Sequence, residues 1–126
     1  MRKFNLAAAW DSNSGATAVE FALIAPILIL LIVGIFYLCA ALFIAGSMSY
    51  AVEEGARCAS VKTLICPDAS ATISYTQSRY FALGAPPTFT FAAAPCGNAV
   101  SASIKYVMNL GLTSITVPLS ATACYP

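Results

Sequence analysis

The pattern of apolar and polar positions begins with one very long apolar stretch. No Asp, Glu, Lys or Arg lies between Glu20 and Glu53. As a helix, Phe21 to Ala45 would be about 37 Å long, against roughly 30 Å for the hydrocarbon core of a bilayer. A cleavable secretory signal is the alternative, but its apolar region is only about 7–15 residues long. The stretch therefore predicts a membrane-spanning helix.

Beyond the apolar stretch, the pattern becomes that of an amphipathic helix without a break. Small and apolar residues share one helical face, whereas Glu53, Glu54 and Arg57 share the other. The apolar face consists of Met48, Val52, Gly55, Ala56 and Ala59. We therefore expect the helix to continue past the membrane and to pack against another element on its small-residue face.

A second, shorter helix is predicted after Pro67, which ends the first one. Asp68 is a suitable N-cap for a helix of about Ala69 to Leu83, and Gly84 with the following prolines closes it. The segment 73–75 also fits an extended conformation, so a strand is the alternative there.

From Thr88 onward the apolar period changes from 3.6 to 2, which is typical of strands with one buried face. Three alternating segments follow, at residues 88–91, 100–108 and 115–121. Pro118 places the last strand at a sheet edge, because proline cannot donate to a central ladder. The simplest arrangement is an antiparallel meander packed on the amphipathic end of the long helix. The predicted fold class is therefore α+β, with a small three-stranded antiparallel sheet.

Composition supports a membrane protein. The chain of 126 residues is 60% hydrophobic and only 9% charged, against roughly 25% charged residues in an average soluble domain. Its formal net charge is +1 and its basic residues are scattered, which argues against nucleic acid as a partner. Arg2 and Lys3 precede the apolar stretch and favour a cytoplasmic N-terminus. The expected partner is thus the lipid bilayer, with residues 53–126 exported.

Four cysteines in the exported part predict a disulfide framework in an oxidising compartment. They are Cys58, Cys66, Cys96 and Cys124. Zinc is the alternative, but the chain has no histidine and no Cys-x-x-Cys motif. In a meander the start of the second strand lies beside the end of the third, which brings Cys96 near Cys124 and leaves Cys58 for Cys66. This is one of the three pairings that four cysteines allow. Cys39, inside the apolar stretch, is expected to be free.

Glu20 is a carboxylate at the entrance of the apolar helix, where a charge is costly unless it has a partner or a function. One interpretation is a capping box, because Thr17-Ala18-Val19-Glu20 matches Ser/Thr-x-x-Glu at a helix start. The other begins with a cut after Gly15, which makes Ala16 a new N-terminus. Its amine would then be a positive partner for Glu20, in the same subunit or in a neighbour. The residues alone leave both interpretations open.

Two segments carry a resemblance to a known family: residues 15–26, GATAVEFALIAP, and residues 54–57, EGAR. Residues 15–62 resemble the N-terminal region of TadE-like proteins, the pilin-like minor subunits of bacterial tight-adherence (Flp-type) pili. The resemblance implies that a prepilin peptidase in the inner membrane cuts between Gly15 and Ala16, leaving Glu20 in the position associated with assembly. It also implies a pilin-like fold, with other pilin-like subunits and the pilus assembly machinery as partners.

These predictions divide the chain into a cytoplasmic leader at residues 1–15, a transmembrane helix at 16–52 and an exported domain at 53–126. The expected location is the inner membrane, with a single pass and a periplasmic C-terminal domain, or the extracellular pilus after assembly. Ala51, Gly55 and Ala59 recur every four residues and suit the close approach of another helix. The alternative is simple tolerance of small side chains in an alanine-rich chain.

We do not expect an enzyme, because the chain has no histidine and no serine or cysteine with a plausible base partner in sequence. No cofactor or metal is expected either. The alternative function is an uncleaved, single-pass inner-membrane protein with a periplasmic scaffold or binding domain, in which Glu20 serves only as a helix cap.

Overall fold

The computed structural model describes residues 14–82, 84–111 and 113–126. The elements within them are α1 (Ser14–Val61), α2 (Ala69–Arg79), β1 (Thr88–Ala94), β2 (Gly97–Asn109) and β3 (Ser114–Tyr125). The chain divides into two compact units, residues 1–37 and residues 38–126, and α1 contributes to both. A long apolar helix, a short helix and a small antiparallel sheet make an α+β fold, as predicted. We call residues 38–126 the domain; residues 1–13 of the predicted leader lie outside the described part.

The sheet is an antiparallel meander with the strand order β1-β2-β3, as predicted. β1 pairs with β2 along residues 97–103, and β2 pairs with β3 along its whole length, from Asn98 opposite Tyr125 to Asn109 opposite Ser114. Pro118 lies in β3 at the sheet edge, where its missing N–H is tolerated. The observed strands are longer than the predicted segments, because their ends are rich in alanine and show little apolar alternation.

The core of the domain forms between the C-terminal part of α1 and one face of the sheet. Met48, Val52 and Ala56 are buried at four-residue intervals along α1, and Val100 and Ala102 are buried two residues apart on β2. These are the spacings at which side chains share a face of a helix and of a strand. The predicted packing of the meander on the amphipathic end of α1 is therefore confirmed.

The second helix begins where the sequence predicts. The backbone N–H of Ala71 and the hydroxyl of Ser70 donate to Asp68 Oδ1, at 2.8 and 2.7 Å, so Asp68 is the N-cap of α2. The prediction of a helical end at Leu83 was wrong, because α2 ends at Arg79 and Tyr80 is already extended. Tyr80 turns towards the core and packs edge-on against Phe89, with ring centroids 6.2 Å apart. A continuing helix would not deliver Tyr80 to this site.

Two disulfide bonds close the domain. Cys58–Cys66 joins the last turns of α1 to the segment before α2, with 5.8 Å between the Cα atoms. Cys96–Cys124 joins the β1–β2 turn to the end of β3, with 6.2 Å between the Cα atoms. Both distances are usual for disulfides. The pairing predicted from the meander is confirmed, and Cys39 is free and exposed.

Candidate membrane and assembly site

Before the domain, α1 presents an apolar surface that nothing in the described part of the chain covers. Leu23, Ile27 and Leu30 are examples of its large side chains, all of them exposed. Exposed apolar surface of this extent is unfavourable in water and marks contact with a membrane or with another protein. Among the described residues, α1 is the helix that is long and apolar enough to cross a membrane.

The residues predicted for processing and assembly lie at the start of this helix. Gly15, Ala16 and Glu20 are exposed, and the bond between Gly15 and Ala16 falls within the first turn of α1. A Cβ atom built on Gly15 meets nothing within 4 Å beyond its chain neighbours and the helix's own backbone. A side chain at position 15 therefore encounters no steric obstacle in the described structure.

The capping box around Thr17 is not formed in the uncleaved chain. An N-cap residue has a non-helical backbone, whereas Thr17 lies inside α1, which begins at Ser14. Alanine at positions 16 and 18 favours helix and lets α1 start before Thr17. The capping interpretation of Glu20 therefore does not apply to the chain that still carries residues 14–16.

The EGAR segment, residues 54–57, is a packing site within the domain. Gly55 and Ala56 are buried, and a Cβ on Gly55 would collide with Thr76 Oγ1 of α2. Only glycine permits this approach. The predicted row of Ala51, Gly55 and Ala59 therefore does face a helix at Gly55, but that helix is α2 of the same chain, and Ala51 is part of the domain core. The predicted approach of another helix is therefore confirmed at Gly55, and the helix that approaches lies within the same domain.

Sequence reasoning missed an aromatic cluster on the domain surface. Phe81, just after α2, packs edge-on against Phe43 and Tyr50 of α1, with both centroid distances at 5.9 Å. The backbone N–H of Phe81 donates to the buried hydroxyl of Ser47 at 3.1 Å. A serine between apolar residues of a helix was the available signal, because a buried hydroxyl needs a partner.

A polar contact holds the C-terminal end of α1 to the sheet. Asn98 Nδ2 donates to Ser60 Oγ at 2.9 Å, and Ser60 Oγ donates to the Tyr125 carbonyl oxygen at 3.0 Å. The first residue pair of β2 and β3 is thereby joined to the last turn of α1. No group of His, Cys, Asp or Glu suited to a metal ion occurs among the described residues.

The fold and these surfaces define a class of protein: an α+β domain on a single exposed apolar N-terminal helix that can anchor it in a membrane. Residues 15–57 match the family model described as TadE-like protein, which confirms the resemblance over these residues. The match includes Gly15, Glu20 and the EGAR segment. Comparison with curated proteins and with solved structures gave no match.

Proposed function

We propose that this chain is a pilin-like minor subunit of a bacterial tight-adherence pilus, processed by a prepilin peptidase between Gly15 and Ala16. The observation that carries the proposal is the family match, which starts at Gly15 and continues along the exposed apolar helix behind Glu20. The two disulfide bonds suit a small domain outside the cytoplasm. The protein acts as a structural subunit and not as an enzyme.

The physical basis of assembly is the exchange of lipid for protein around α1. Lipid tails are as apolar as leucine, so burying the helix in a bundle of similar helices gains little hydrophobic free energy. Specific polar contacts then decide how subunits align. Glu20 is the only charge of α1 before Glu53. After processing, its carboxylate pairs with the Ala16 amine of a neighbouring subunit, and this pair sets the axial position of one helix against the next.

Two variants test processing and assembly separately. Gly15→Leu blocks processing, so the membrane-extracted chain keeps its full mass. Gly34→Leu is the matched control, because it adds the same side chain to the same helix at a glycine with open surroundings, and it is processed normally. Glu20→Gln inserts and is processed, but cells expressing it lack pili.

Two results count against the proposal. If wild-type chain from piliated cells retains residues 1–15, the alternative of an uncleaved inner-membrane protein with a periplasmic scaffold or binding domain is correct. If Glu20→Gln supports normal piliation, the charge of Glu20 has no role in assembly.

A further inference from the structure

The β2–β3 hairpin extends well beyond the rest of the sheet. β1 pairs only with residues 97–103 of β2, whereas β2 and β3 continue as a pair to Asn109 and Ser114. We call the described residues between positions 104 and 119 the arm. At its end, Leu110 N–H donates to the Thr113 carbonyl oxygen at 2.8 Å, and Gly111 has a φ of +86°, a value that favours glycine.

The arm points towards the end of the domain at which the apolar helix begins. β2 starts beside Ser60, near the C-terminal end of α1, and its inner residues through Tyr106 pack against a core that includes Ile44 and Met48. From Asn98 to Tyr106, β2 covers about 26 Å at roughly 3.3 Å per residue. From Ser60 back to Ile44, α1 covers about 24 Å. The remainder of the arm therefore projects past Ile44, the first buried residue of the described part of α1.

The projecting part of the arm exposes large apolar side chains among uncharged polar ones, which include Asn109, Thr113 and Ser114. On the outer face of β2, Ser101 and Ser103 are followed by Lys105 and then by Val107, so the face changes from polar to apolar. Val107, Leu110 and Ile115 are 47%, 40% and 48% exposed. No charged residue occurs after Lys105. Exposed apolar side chains grouped in this way mark a contact surface.

A second apolar surface lies at the same end of the domain. The aromatic cluster contains Phe43, next to Ile44 on α1, and Phe81, which is 59% exposed. Tyr50 completes the cluster about 10 Å further along α1. Phe43 precedes Tyr50 on α1, so the apolar ring lies nearer the apolar stretch than the amphipathic ring does. This order suits the boundary between acyl chains and headgroups, where amphipathic aromatic rings are enriched.

Two basic residues lie beside the aromatic cluster and the arm, where they can meet the phosphates of an anionic lipid surface. Arg79 lines a surface depression together with Tyr50 and Phe81, and Lys105 stands at the base of the arm. Of the acidic residues, Asp68 caps the opposite end of α2 from Arg79, whereas Glu53 lies about one turn after Tyr50 on α1, on the side away from Phe43. Lysine and arginine at this level place their charges at lipid phosphates while their stems cover apolar surface.

We propose that, before assembly, the arm and the aromatic cluster are seated in the headgroup region of the bilayer that α1 enters, with Arg79 and Lys105 at the phosphates. This inference rests on the membrane anchoring in the proposed function. The depth is limited, because one edge of β2 beyond Ser103 has no partner strand and unpaired backbone groups are not tolerated in the hydrocarbon core.

Tryptophan fluorescence in lipid vesicles tests the inference. The full chain, with its single tryptophan removed by Trp10→Phe, is reconstituted in phosphatidylethanolamine–phosphatidylglycerol vesicles containing lipid brominated near the top of the acyl chains. Leu110→Trp and Ile115→Trp report on the arm. Leu64→Trp is the matched control, because Leu64 is 97% exposed in the loop that Cys58–Cys66 closes, beyond the opposite end of the domain. Leu30→Trp reports on the span itself.

We expect both arm variants to emit at shorter wavelength than Leu64→Trp and to be quenched several-fold more strongly by the brominated lipid. Quenching of Leu30→Trp without quenching of either arm variant overturns the inference while leaving the membrane span intact. A blue-shifted but unquenched arm also overturns it, because the arm is then covered by protein, such as a second copy of the chain. Absence of quenching at all positions rejects the span as well. Formation of both disulfides confirms that each variant is folded.

Discussion

Replacing Gly55 by alanine tests the close approach of α1 and α2. A Cβ at position 55 would lie 3.2 Å from Thr76 Cβ and would overlap Thr76 Oγ1. Thr76 is fully buried, and its hydroxyl donates to the Thr72 carbonyl oxygen at 2.8 Å. The hydroxyl therefore cannot rotate away without losing its hydrogen bond, and the two helices must separate instead.

The expected loss of stability in Gly55→Ala is the difference between two opposing effects. Overpacking a well-packed site destabilises a protein by about 1–3 kcal/mol. Replacing glycine by alanine inside a helix stabilises the helix by about 0.5–1 kcal/mol. We therefore expect Gly55→Ala to lower the free energy of unfolding of the domain by roughly 1 kcal/mol. For a domain of this size, that corresponds to a decrease in Tm of about 4–8 °C.

The assay is thermal unfolding in detergent, followed by near-ultraviolet circular dichroism with both disulfides oxidised. Gly46→Ala is the matched control, because it makes the same change in the same helix at a position where a Cβ meets nothing within 4 Å. Gly46→Ala should leave the Tm unchanged or raise it. The double variant Gly55→Ala/Thr76→Ala should lose less stability than the sum of its single variants. A Gly55→Ala chain as stable as Gly46→Ala would refute the close approach of the two helices.

Three further predictions concern the cap, the cross-links and the aromatic cluster. Hydrogen bonds from the Ala71 N–H and the Ser70 hydroxyl lower the pKa of Asp68 below its ordinary value of 3.8. The ionised Asp68 side chain therefore stabilises the folded domain fully above pH 3.8, the pKa of the unfolded chain. This stabilisation is lost as the pH falls through the lower pKa of Asp68 in the folded state. Asp68→Asn should remove this part of the acid sensitivity, and an unchanged dependence of Tm on pH would contradict it. The two disulfides span 8 and 28 residues, so in the loop-entropy model serine pairs should lower the free energy of unfolding by about 2.5 kcal/mol at Cys58–Cys66 and about 3.6 kcal/mol at Cys96–Cys124. Chemical denaturation giving the reverse order would reject that model here. Ser47→Ala leaves the Phe81 N–H without its acceptor and should destabilise the domain by about 0.5–1.5 kcal/mol in the same assay; no change would mean that water replaces the hydroxyl.

Much of the fold follows from local features of the sequence. Asp68 before a helical segment identifies a helix start, because its side chain satisfies backbone groups within the same turn. Pro118 identifies an edge strand for an equally local reason. The cysteine pairing needed one non-local assumption, the meander, and was right because adjacent strands in sequence usually pair in space.

The features that sequence reasoning missed depend on contacts between distant residues. The end of α2 is set by Tyr80 packing on Phe89, and helix propensity up to Leu83 cannot reveal it. The spacing of Ala51 and Gly55 showed that a helix could approach, but it could not show whether that helix belongs to the same chain. The capping motif at Thr17 was one of two open interpretations, and it is not the start of α1 because the alanines beside it extend the helix past it.

The boundary of the domain also depends on contacts between distant residues. Charge patterning suggested that the exported part starts at residue 53, where the first acidic residue after the apolar stretch appears. In the structure the compact domain starts at Leu38, and its buried residues start at Ile44. Ser47 and Met48 are fully covered within the domain and are thus unavailable to lipid. The predicted span of residues 16–52 therefore includes a segment whose inner face packs on protein.

The central claim is that the peptide bond between Gly15 and Ala16 is cut and that assembly depends on the chain so formed. N-terminal sequencing of the chain recovered from piliated cells tests it most directly. The account predicts a sequence that begins at Ala16 and reads ATAVEF, with Glu20 as its fifth residue. A chain that begins at Met1 would contradict the account and would establish a permanently anchored protein.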